Sequence, residues 1–476
     1  MFETYLLLRY GDFSDGILDA ILNTNSAEAL AFLRAKIIVI IIAVASGLLL
    51  TYLLFINAVR RPKWSLLWLL PVAVFWLSLE ARQYRHQQRM VQFSQNNPGF
   101  KIINQIDRLD NYFAHNIRQR LPLVLGDYFY IFHSKKISNL ESSLTRQTPP
   151  FLAETGNPAV KHIIVVIGES ANPKRHGVYG YQAQDTTPNL NRIGNELCVK
   201  SPAHSMSNMT RTALPPILSF AEPENFGRAY TDKNIIDLAK ERGYATAWLG
   251  AQEIQTLFSS TYGPLAKSAY TVITPDYTTQ QQAFRPSDDL DLLPQLAQLF
   301  RQPQIQQTLY VLHLTGSHAP YRHDKTDQAA LPNADSYDLS VHHTDRVLQG
   351  IMDLANQHLP EYVLLYTSDH GEILVDEGGG VEHGSTFGGY EQYRVPLLLK
   401  SADPYWCEQW EQYRKRSGQF SNESVKYLLL QMMGLRLNTD TTFDDKILHS
   451  DYAVYNFENL PTPKDKNNRF WEKKGL

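Results

Sequence analysis

The stretch HIIVVIGES at residues 162–170 decides the fold class, because a nearly continuous apolar run passes directly into a glycine and two polar residues. Three further runs share this character: TLYVLHL at 308–314, YVLLYT at 362–367 and VPLLL at 395–399. Short continuous apolar runs are typical of strands that are buried on both faces. Helical patterns at 233–242 and 336–356 lie between them. This alternation predicts an α/β fold with a mostly parallel sheet between two layers of helices.

Polar residues follow three of the predicted strands and suggest a metal site. Glu169 follows the first strand, Asp369 and His370 follow YVLLYT, and His318 lies in TGSHAP after TLYVLHL. Ligands of open α/β sheets bind beyond the carboxyl ends of the strands. Oxygen and imidazole donors without thiolate suit zinc or manganese. His383, in the glycine-rich loop 378–389, adds another imidazole.

Each of these residues also has a structural interpretation. Glu169 suits a helix start, and Asp369 with His370 suits a capped turn. Single histidines such as His318 and His383 are often hydrogen-bonded core residues. The metal site is favoured because three separate strands end in this way.

The segment SMSNMTRTALPP at 205–216 offers a nucleophile. A hydroxyl here would be activated by metal coordination without a histidine base. The alternative is a Ser/Thr-rich helix cap. Pro215 and Pro216 predict that regular structure stops at the end of the segment.

The N-terminal part of the chain predicts two membrane spans within residues 37–82. The first apolar run, 37–59, has 23 residues without a charge, and a second run covers 64–79. The first is long enough to cross a hydrocarbon core of about 30 Å. A buried helical hairpin is the alternative, and the basic residues around both runs do not decide orientation.

The segments around these runs complete the predicted organisation. Residues 1–36 precede the first span, and residues 83–150 contain amphipathic helix that either lies on the bilayer or packs on the next domain. Proline residues at 149, 150 and 158 mark the start of a domain covering 151–476.

Composition excludes several classes of protein. The formal charge of -3 gives no bulk electrostatic reason to expect a nucleic-acid partner. The hydrophobic content of 43% is that of a folded protein. Cys198 and Cys407, the two cysteines of the chain, permit one disulfide at most and exclude a cysteine-built zinc site.

An ordered set of motifs resembles the phosphoethanolamine transferases, which are inner-membrane enzymes of the alkaline phosphatase/sulfatase superfamily in Gram-negative bacteria. The motifs extend from about residue 160 to 435 and are GES (168–170), YGY (179–181), TTPNL (186–190), MTRTALPPILS, GSHAPY, YDLSVHHTDRVL, SDHGE, EHG and RVPLLL. The resemblance implies an alkaline-phosphatase-like α/β/α sandwich, preceded here by a membrane helical hairpin.

The resemblance also implies roles for individual residues. Glu169, Asp369 and His370 fall on the ligands of a catalytic zinc ion. Thr210 falls on the nucleophile and fourth ligand, with Thr212 as the competing hydroxyl. Two histidines, His318 and His383, fall on positions that bind the phosphoryl group and assist proton transfer. One zinc ion is expected, and a second held by these two histidines is possible.

The implied reaction has two steps and takes place at the membrane. Phosphatidylethanolamine donates phosphoethanolamine to Thr210, and a lipopolysaccharide group (lipid A or core sugar) or another periplasmic glycan then accepts it. Thr24 and Glu28 match a TNxxEA segment that helps to seat the donor, so residues 1–36 form a periplasmic donor loop, although a plain helix start explains them equally well. The expected location is the bacterial inner membrane, in contact with membrane lipids and with the catalytic domain in the periplasm.

Departures from the family pattern leave other functions open. Family members usually have five membrane helices, whereas this chain begins shortly before the fourth, and several relatives carry disulfides that this chain lacks. The alternatives are a glycerophosphate transferase, a phosphodiesterase, or a catalytically silent membrane lipid-binding relative. A sulfatase is disfavoured because no C/S-x-P-x-R motif lies near the hydroxyl segment.

Overall fold

The computed structural model describes residues 146–254, 259, 261–275, 284, 286–302, 307–374, 383–384, 389–413, 420–438, 446–448 and 453–456, with scattered residues before 103. The two predicted spans, the donor segment with Thr24 and Glu28, and the linker up to residue 145 lie almost entirely outside these residues. Among the described residues, no helix combines the length and the apolar character that a membrane crossing requires.

The described strands and helices alternate along the chain. The strands are β1 (Lys101–Ile102), β2 (Leu152–Glu154), β3 (His162–Gly168), β4 (Leu197–His204), β5 (Tyr244–Gly250), β6 (Thr271–Ile273), β7 (Gln307–His313), β8 (Val363–Ser368), β9 (Arg394–Ser401), β10 (Phe420–Ser421), β11 (Leu435–Leu437), β12 (Lys446–Leu448) and β13 (Ala453–Asn456). The α-helices are α1 (Pro188–Arg192), α2 (Thr210–Leu218), α3 (Arg228–Thr231), α4 (Ile235–Glu241), α5 (Gly263–Ala266), α6 (Leu292–Phe300), α7 (Lys325–Ala330), α8 (Ser336–His358), α9 (Tyr405–Glu411) and α10 (Ser424–Met432).

The main sheet of the described region has eight strands in the order β10-β4-β9-β8-β3-β7-β5-β6. Strand β9 runs antiparallel to both of its neighbours, and the other pairings are parallel. The predicted, mostly parallel sheet is therefore confirmed, and the run at 395–399 supplies its antiparallel strand. All four predicted strands and both predicted helices are present, with ends within two residues of the predicted ones.

The side chains of β3 explain why its sequence is continuously apolar. Ile163, Val165 and Ile167 belong to one hydrophobic cluster, together with residues of α2, α4 and α10. The intervening Ile164 and Val166 belong to a second cluster, with residues of α6 and α8. Since successive side chains of a strand point to opposite faces, both faces of β3 are buried by helices.

The predicted stop at Pro215 and Pro216 is wrong, because both prolines lie inside α2. Proline removes a backbone donor and usually ends or bends a helix. Here the prolines are buried, and side chains bind their carbonyl groups. Ser219 Oγ donates to the Pro215 carbonyl at 2.7 Å and Lys426 Nζ donates to the Pro216 carbonyl at 3.0 Å. Packing and these contacts therefore hold the helix despite the missing donors.

A disulfide between Cys198 and Cys407 links β4 to α9. The two residues are 209 positions apart in the sequence. The bond joins β4, which lies next to the edge strand β10, to the helix that follows β9. It therefore links covalently two segments that are distant in the sequence.

Candidate functional site

Glu169, Asp369 and His370 meet at the carboxyl ends of neighbouring strands. Glu169 follows β3, and Asp369 and His370 follow β8, which pairs directly with β3. One possible ligand atom from each residue lies within 4.8 Å of the others, and all three residues are buried. The predicted strand-end cluster is therefore present in the fold.

Thr210 completes this cluster from the first position of α2. Its Oγ1 lies 3.2 Å from both carboxylate oxygens of Glu169 and 3.3 Å from Nε2 of His370. His370 Nε2 is also 3.0 Å from Glu169 Oε1 and 3.4 Å from Asp369 Oδ2. The fold thus brings together the four residues that the sequence pointed to.

The competing hydroxyl of Thr212 points elsewhere. Its Oγ1 lies 2.6 Å from Ser207 Oγ and 3.3 Å from the Met209 carbonyl. The helix-cap interpretation of this segment fails as well, because the N-cap residue of α2 is Met209, which makes no side-chain capping bond. The geometry therefore favours Thr210 over Thr212 as the reactive hydroxyl.

The backbone around Glu169 is tightly constrained. Ser170 has a φ of 55°, in the left-handed region that residues other than glycine rarely adopt. Tyr337 Oη donates to the Ser170 carbonyl at 2.7 Å. On the other side, a Cβ on Gly316 would lie 2.7 Å from the Glu169 backbone nitrogen. Glu169 is therefore clamped between two segments, and its carboxylate has a fixed direction.

The charges of this cluster favour a bound cation. Burial opposes ionisation of Glu169, but the nearby His370 holds the pKa of this carboxyl well below its usual value. Burial, and then the Glu169 charge, raise the pKa of Asp369 to about 7. Burial opposes protonation of His370, yet Asp369 and Glu169 raise its pKa to about 10. Two buried carboxylates thus retain a proton on the imidazole, in the place where a metal ion would supply positive charge.

The donor atoms also fit a zinc ion. Asp369 Oδ2 is buried and accepts no hydrogen bond from any described residue. His370 Nδ1 bonds to the Gly371 carbonyl at 2.9 Å, which leaves Nε2 facing Glu169 and Thr210. A backbone carbonyl is one of the usual partners of the far nitrogen of a metal-binding imidazole. Carboxylate, imidazole and hydroxyl donors together suit zinc.

His318 and His383 lie beside the cluster rather than within it. The His383 ring is 4.3 Å from the His370 ring and 5.7 Å from the His318 ring, measured between centroids. Burial and the charges of His370 and His318 hold the pKa of His383 well below its usual value. The arrangement places two imidazoles beside the cluster to which Thr210 belongs.

Two further residues contact Glu169 and were missed in the sequence. Gln252 Nε2 donates to Glu169 Oε2 at 3.1 Å and to the Leu314 carbonyl at 2.9 Å. His313 Nε2 lies 4.0 Å from the same Glu169 oxygen, and burial lowers the pKa of this histidine to about 4. His313 ends the TLYVLH run, and its position at a strand end was the available signal. Gln252 follows β5, a strand that the apolar pattern did not predict.

Gln252→Ala is expected to weaken zinc binding. The Gln252 amide holds one oxygen of a candidate ligand, and loss of such an outer contact typically lowers metal affinity by about 10- to 100-fold. Competition titration with a fluorescent zinc chelator measures this affinity directly. Gln412→Ala, at an exposed glutamine that follows α9, is the matched control. Equal zinc affinity in Gln252→Ala and the unchanged protein would show that this contact does not orient a ligand.

Comparison with protein families and curated proteins identifies relatives. A family model described as Sulfatase matches residues 161–434. The chain is 23% identical over 461 residues to phosphoethanolamine transferase EptC of Escherichia coli (strain K12), covering 90% of this chain and 75% of the relative. It is 26% identical over 277 residues to phosphoethanolamine transferase EptA of Helicobacter pylori, covering 52% and 49%. The chain spans about half the length of the first curated relatives that it matches.

Two solved structures share the fold. The integral membrane lipooligosaccharide phosphoethanolamine transferase A of Neisseria meningitidis has a TM-score of 0.61 and 18% identity, covering 92% of this chain and 82% of that one. The C-terminal periplasmic domain of EptC from Escherichia coli, solved in complex with Zn, has a TM-score of 0.55 and 20% identity, covering 68% and 99%. The resemblance to the phosphoethanolamine transferases is confirmed by these relatives.

Proposed function

The chain belongs to the sulfatase family, and from this premise we propose that it transfers phosphoethanolamine from phosphatidylethanolamine to a lipopolysaccharide hydroxyl or phosphate. The observation that carries the proposal is the position of Thr210 Oγ1, within 3.3 Å of both Glu169 oxygens and His370 Nε2. Relatives named phosphoethanolamine transferases support this reaction over others of the family.

Glu169, Asp369, His370 and Thr210 would hold a zinc ion in this proposal. When bound, zinc supplies positive charge that lowers the pKa of the Thr210 hydroxyl and offsets charge on the phosphoryl oxygens. The constrained backbone at Ser170 and Gly316 keeps Glu169 directed at Thr210, so the hydroxyl has one fixed position.

The first step starts from ionised Thr210 Oγ1, whose proton has been released to solvent, and forms a bond from this oxygen to the phosphorus of the donor. The bond from phosphorus to the diacylglycerol oxygen breaks, and a histidine beside the cluster, His318 or His383, gives that oxygen a proton. The product is diacylglycerol, and phosphoethanolamine remains on Thr210. The N-terminus of α2 favours the negative phosphoryl group, since its first backbone N–H groups have no partner within the helix.

The second step reverses the roles of the leaving and attacking oxygens. The acceptor attacks the same phosphorus with a hydroxyl or with the P–OH oxygen of a phosphate, the bond to Thr210 Oγ1 breaks, and the histidine recovers the proton of that hydroxyl or P–OH group. Side chains return to their starting states, so no further reactant is needed. Thr24 and Glu28 remain candidates for seating the lipid donor, in a chain placed in the inner membrane with this domain in the periplasm.

The same side chains would serve a phosphodiesterase, in which water replaces the acceptor, or a glycerophosphate transferase. A silent lipid-binding relative is disfavoured, because the nucleophile and all three candidate ligands are present and in contact. Sulfate ester hydrolysis is disfavoured by the threonine at position 210, since that chemistry needs a modified cysteine or serine in its own motif.

Peptide mass spectrometry tests the proposal on the full chain, purified in detergent and loaded with zinc. After incubation with phosphatidylethanolamine and no acceptor, the peptide containing Thr210 is expected to carry phosphoethanolamine, and the same peptide of Thr210→Ala is expected to carry none. An unmodified peptide would overturn the proposed donor. A glycerophosphate adduct, from phosphatidylglycerol, would establish the alternative transferase.

A further inference from the structure

Three histidines at the site each form a hydrogen bond through Nδ1, but the acceptors differ in kind. His318 bonds to the carbonyl of Ala319 at 2.7 Å, and His370 bonds to that of Gly371 at 2.9 Å. His383 instead bonds to a carboxylate, Oε2 of Glu372, at 3.2 Å. A carbonyl or an ionised carboxylate can only accept, so Nδ1 of each ring carries a proton and Nε2 is the nitrogen directed at other groups.

Glu372 is itself held in one orientation. Its side chain is 1% exposed, whereas that of His383 is 22% exposed. Tyr321 Oη donates to Oε1 at 3.0 Å, so each carboxylate oxygen has its own partner. The backbone carbonyl of Glu372 accepts from Asn172 Nδ2 at 2.9 Å.

Tyr321 is fixed in turn by an aromatic contact. Its ring meets the Tyr337 ring edge to face, with centroids 5.2 Å apart. Tyr337 also donates to the Ser170 carbonyl and so reaches the segment that carries Glu169. The support of His383 is therefore continuous with the support of the candidate metal site.

From this geometry we propose that Glu372 is the positioning residue of His383: it fixes the Nδ1–H tautomer and the ring orientation, and thereby makes His383, rather than His318, the histidine that contacts the reacting oxygen. The inference rests on the proposed function and deepens it, since that function leaves the choice between the two histidines open.

The chemistry of a carboxylate–imidazole pair explains why this choice follows. A carboxylate on Nδ1 holds the ring in one tautomer and one orientation by a charge-assisted hydrogen bond, which is stronger than a bond between neutral groups. A backbone carbonyl holds the tautomer but carries no full charge. Burial of a carboxylate is costly unless it is paired and hydrogen-bonded. Glu372 meets that condition by means of His383 and Tyr321, and of the Glu372–His383 pair only His383 is partly exposed.

Steady-state transfer from a fluorescent phosphatidylethanolamine, by the zinc-loaded full chain, tests the assignment. Glu372→Gln keeps the shape of the side chain but allows its amide to donate to Nδ1, which permits the wrong tautomer. We expect kcat to fall by about 10²-fold, the usual contribution of a general acid–base group, with KM for the lipid and the bound zinc unchanged. Tyr321→Phe, which removes one oxygen and keeps the ring, is expected to cause a smaller fall.

A double-variant cycle separates positioning from a general structural role. If Glu372 acts through His383, then Glu372→Gln causes no further loss in a His383→Ala background, but keeps its full effect in a His318→Ala background. An equal loss in both backgrounds would overturn the proposal, as would a loss of zinc from Glu372→Gln.

A second readout needs no lipid donor, and so distinguishes failure of this inference from failure of the proposed function. Diethyl pyrocarbonate modifies imidazole nitrogens, and mass spectrometry gives its rate at His383 and at His318 in the same sample. Glu372→Gln is expected to change the rate at His383 and leave that at His318 as an internal reference. An unchanged ratio of the two rates would overturn the positioning role, whereas a wild-type chain that transfers nothing overturns only the function.

Discussion

Thr210→Ala is expected to lower the rate of phosphoethanolamine transfer by about 10³-fold or more, because it removes the atom that we propose attacks phosphorus. The side chain lies at the first position of α2 and contacts Glu169 and His370 by its hydroxyl. Alanine is well tolerated in a helix, so the change should leave the fold in place. Initial rates with a fluorescent phosphatidylethanolamine, at saturating zinc, measure the effect.

Thr212→Ala is the matched control, two positions along the same helix. It removes a hydroxyl that bonds to Ser207 and the Met209 carbonyl, which contributes about 1 kcal/mol to stability but does not reach the cluster. Transfer is expected to stay within a few-fold of the unchanged protein. If Thr212→Ala were the inactive variant and Thr210→Ala the active one, the assignment of the nucleophile would be reversed. Thr210→Ser, which restores a hydroxyl, should recover part of the activity.

The fold was predictable because a strand buried on both faces has a continuous apolar sequence. In β3, both faces of the strand are covered, so HIIVVI has no polar alternation to confuse with a helix. The strand ends then located Glu169, Asp369 and His370, since parallel strands place their carboxyl ends at one edge. Strand β5 was missed because its sequence, YATAWLG, mixes small and polar residues that do not form an apolar run.

The remainder of the site depends on contacts between distant segments, which leave no periodic pattern. Gln252 reaches Glu169 across 83 positions, and only the order of the strands brings them together. The residues by themselves did not decide between Thr210 and Thr212, because the two hydroxyls differ only in their direction from α2, and the assignment of Thr210 came from the family resemblance. The link from His383 to Glu372 and Tyr321 required side-chain geometry, although all three residues stand in motifs that the sequence analysis had singled out.

Asp369→Asn is expected to be more stable than the unchanged protein without zinc and less stable than the unchanged protein with zinc. Burial and the neighbouring Glu169 raise the pKa of Asp369 from 3.8 to about 7 in the folded protein. An acid whose pKa is raised on folding binds its proton more tightly when folded, so its ionisation destabilises the zinc-free fold increasingly as the pH rises from about 4 to about 7. Asparagine removes that charge and keeps the oxygen that accepts a hydrogen bond from the backbone N–H of His370 at 2.7 Å. Without zinc at pH 8, the variant should therefore unfold at a higher temperature than the unchanged protein.

With zinc, the unchanged protein should be more stable than the variant, because a ligand stabilises a fold according to its affinity. In the proposed site, Asp369 must lose its proton to bind the cation, so the zinc affinity of the unchanged protein is expected to fall as the pH is lowered through about 7. The variant lacks the carboxylate and gains little from zinc at any pH. Thermal unfolding with a chelator and with excess zinc compares the two proteins under both conditions.

Asp345→Asn is the control: Asp345 is also buried with a pKa raised to about 6, but it accepts hydrogen bonds from the backbone N–H groups of Asn189 and Leu190 instead. Its effect should be the same with and without zinc. An equal zinc-induced shift of the unfolding temperature in Asp369→Asn and in the unchanged protein would remove Asp369 from the metal site. The ionised Asp369 carboxylate destabilises the zinc-free protein, and it is the group that the cation is expected to stabilise.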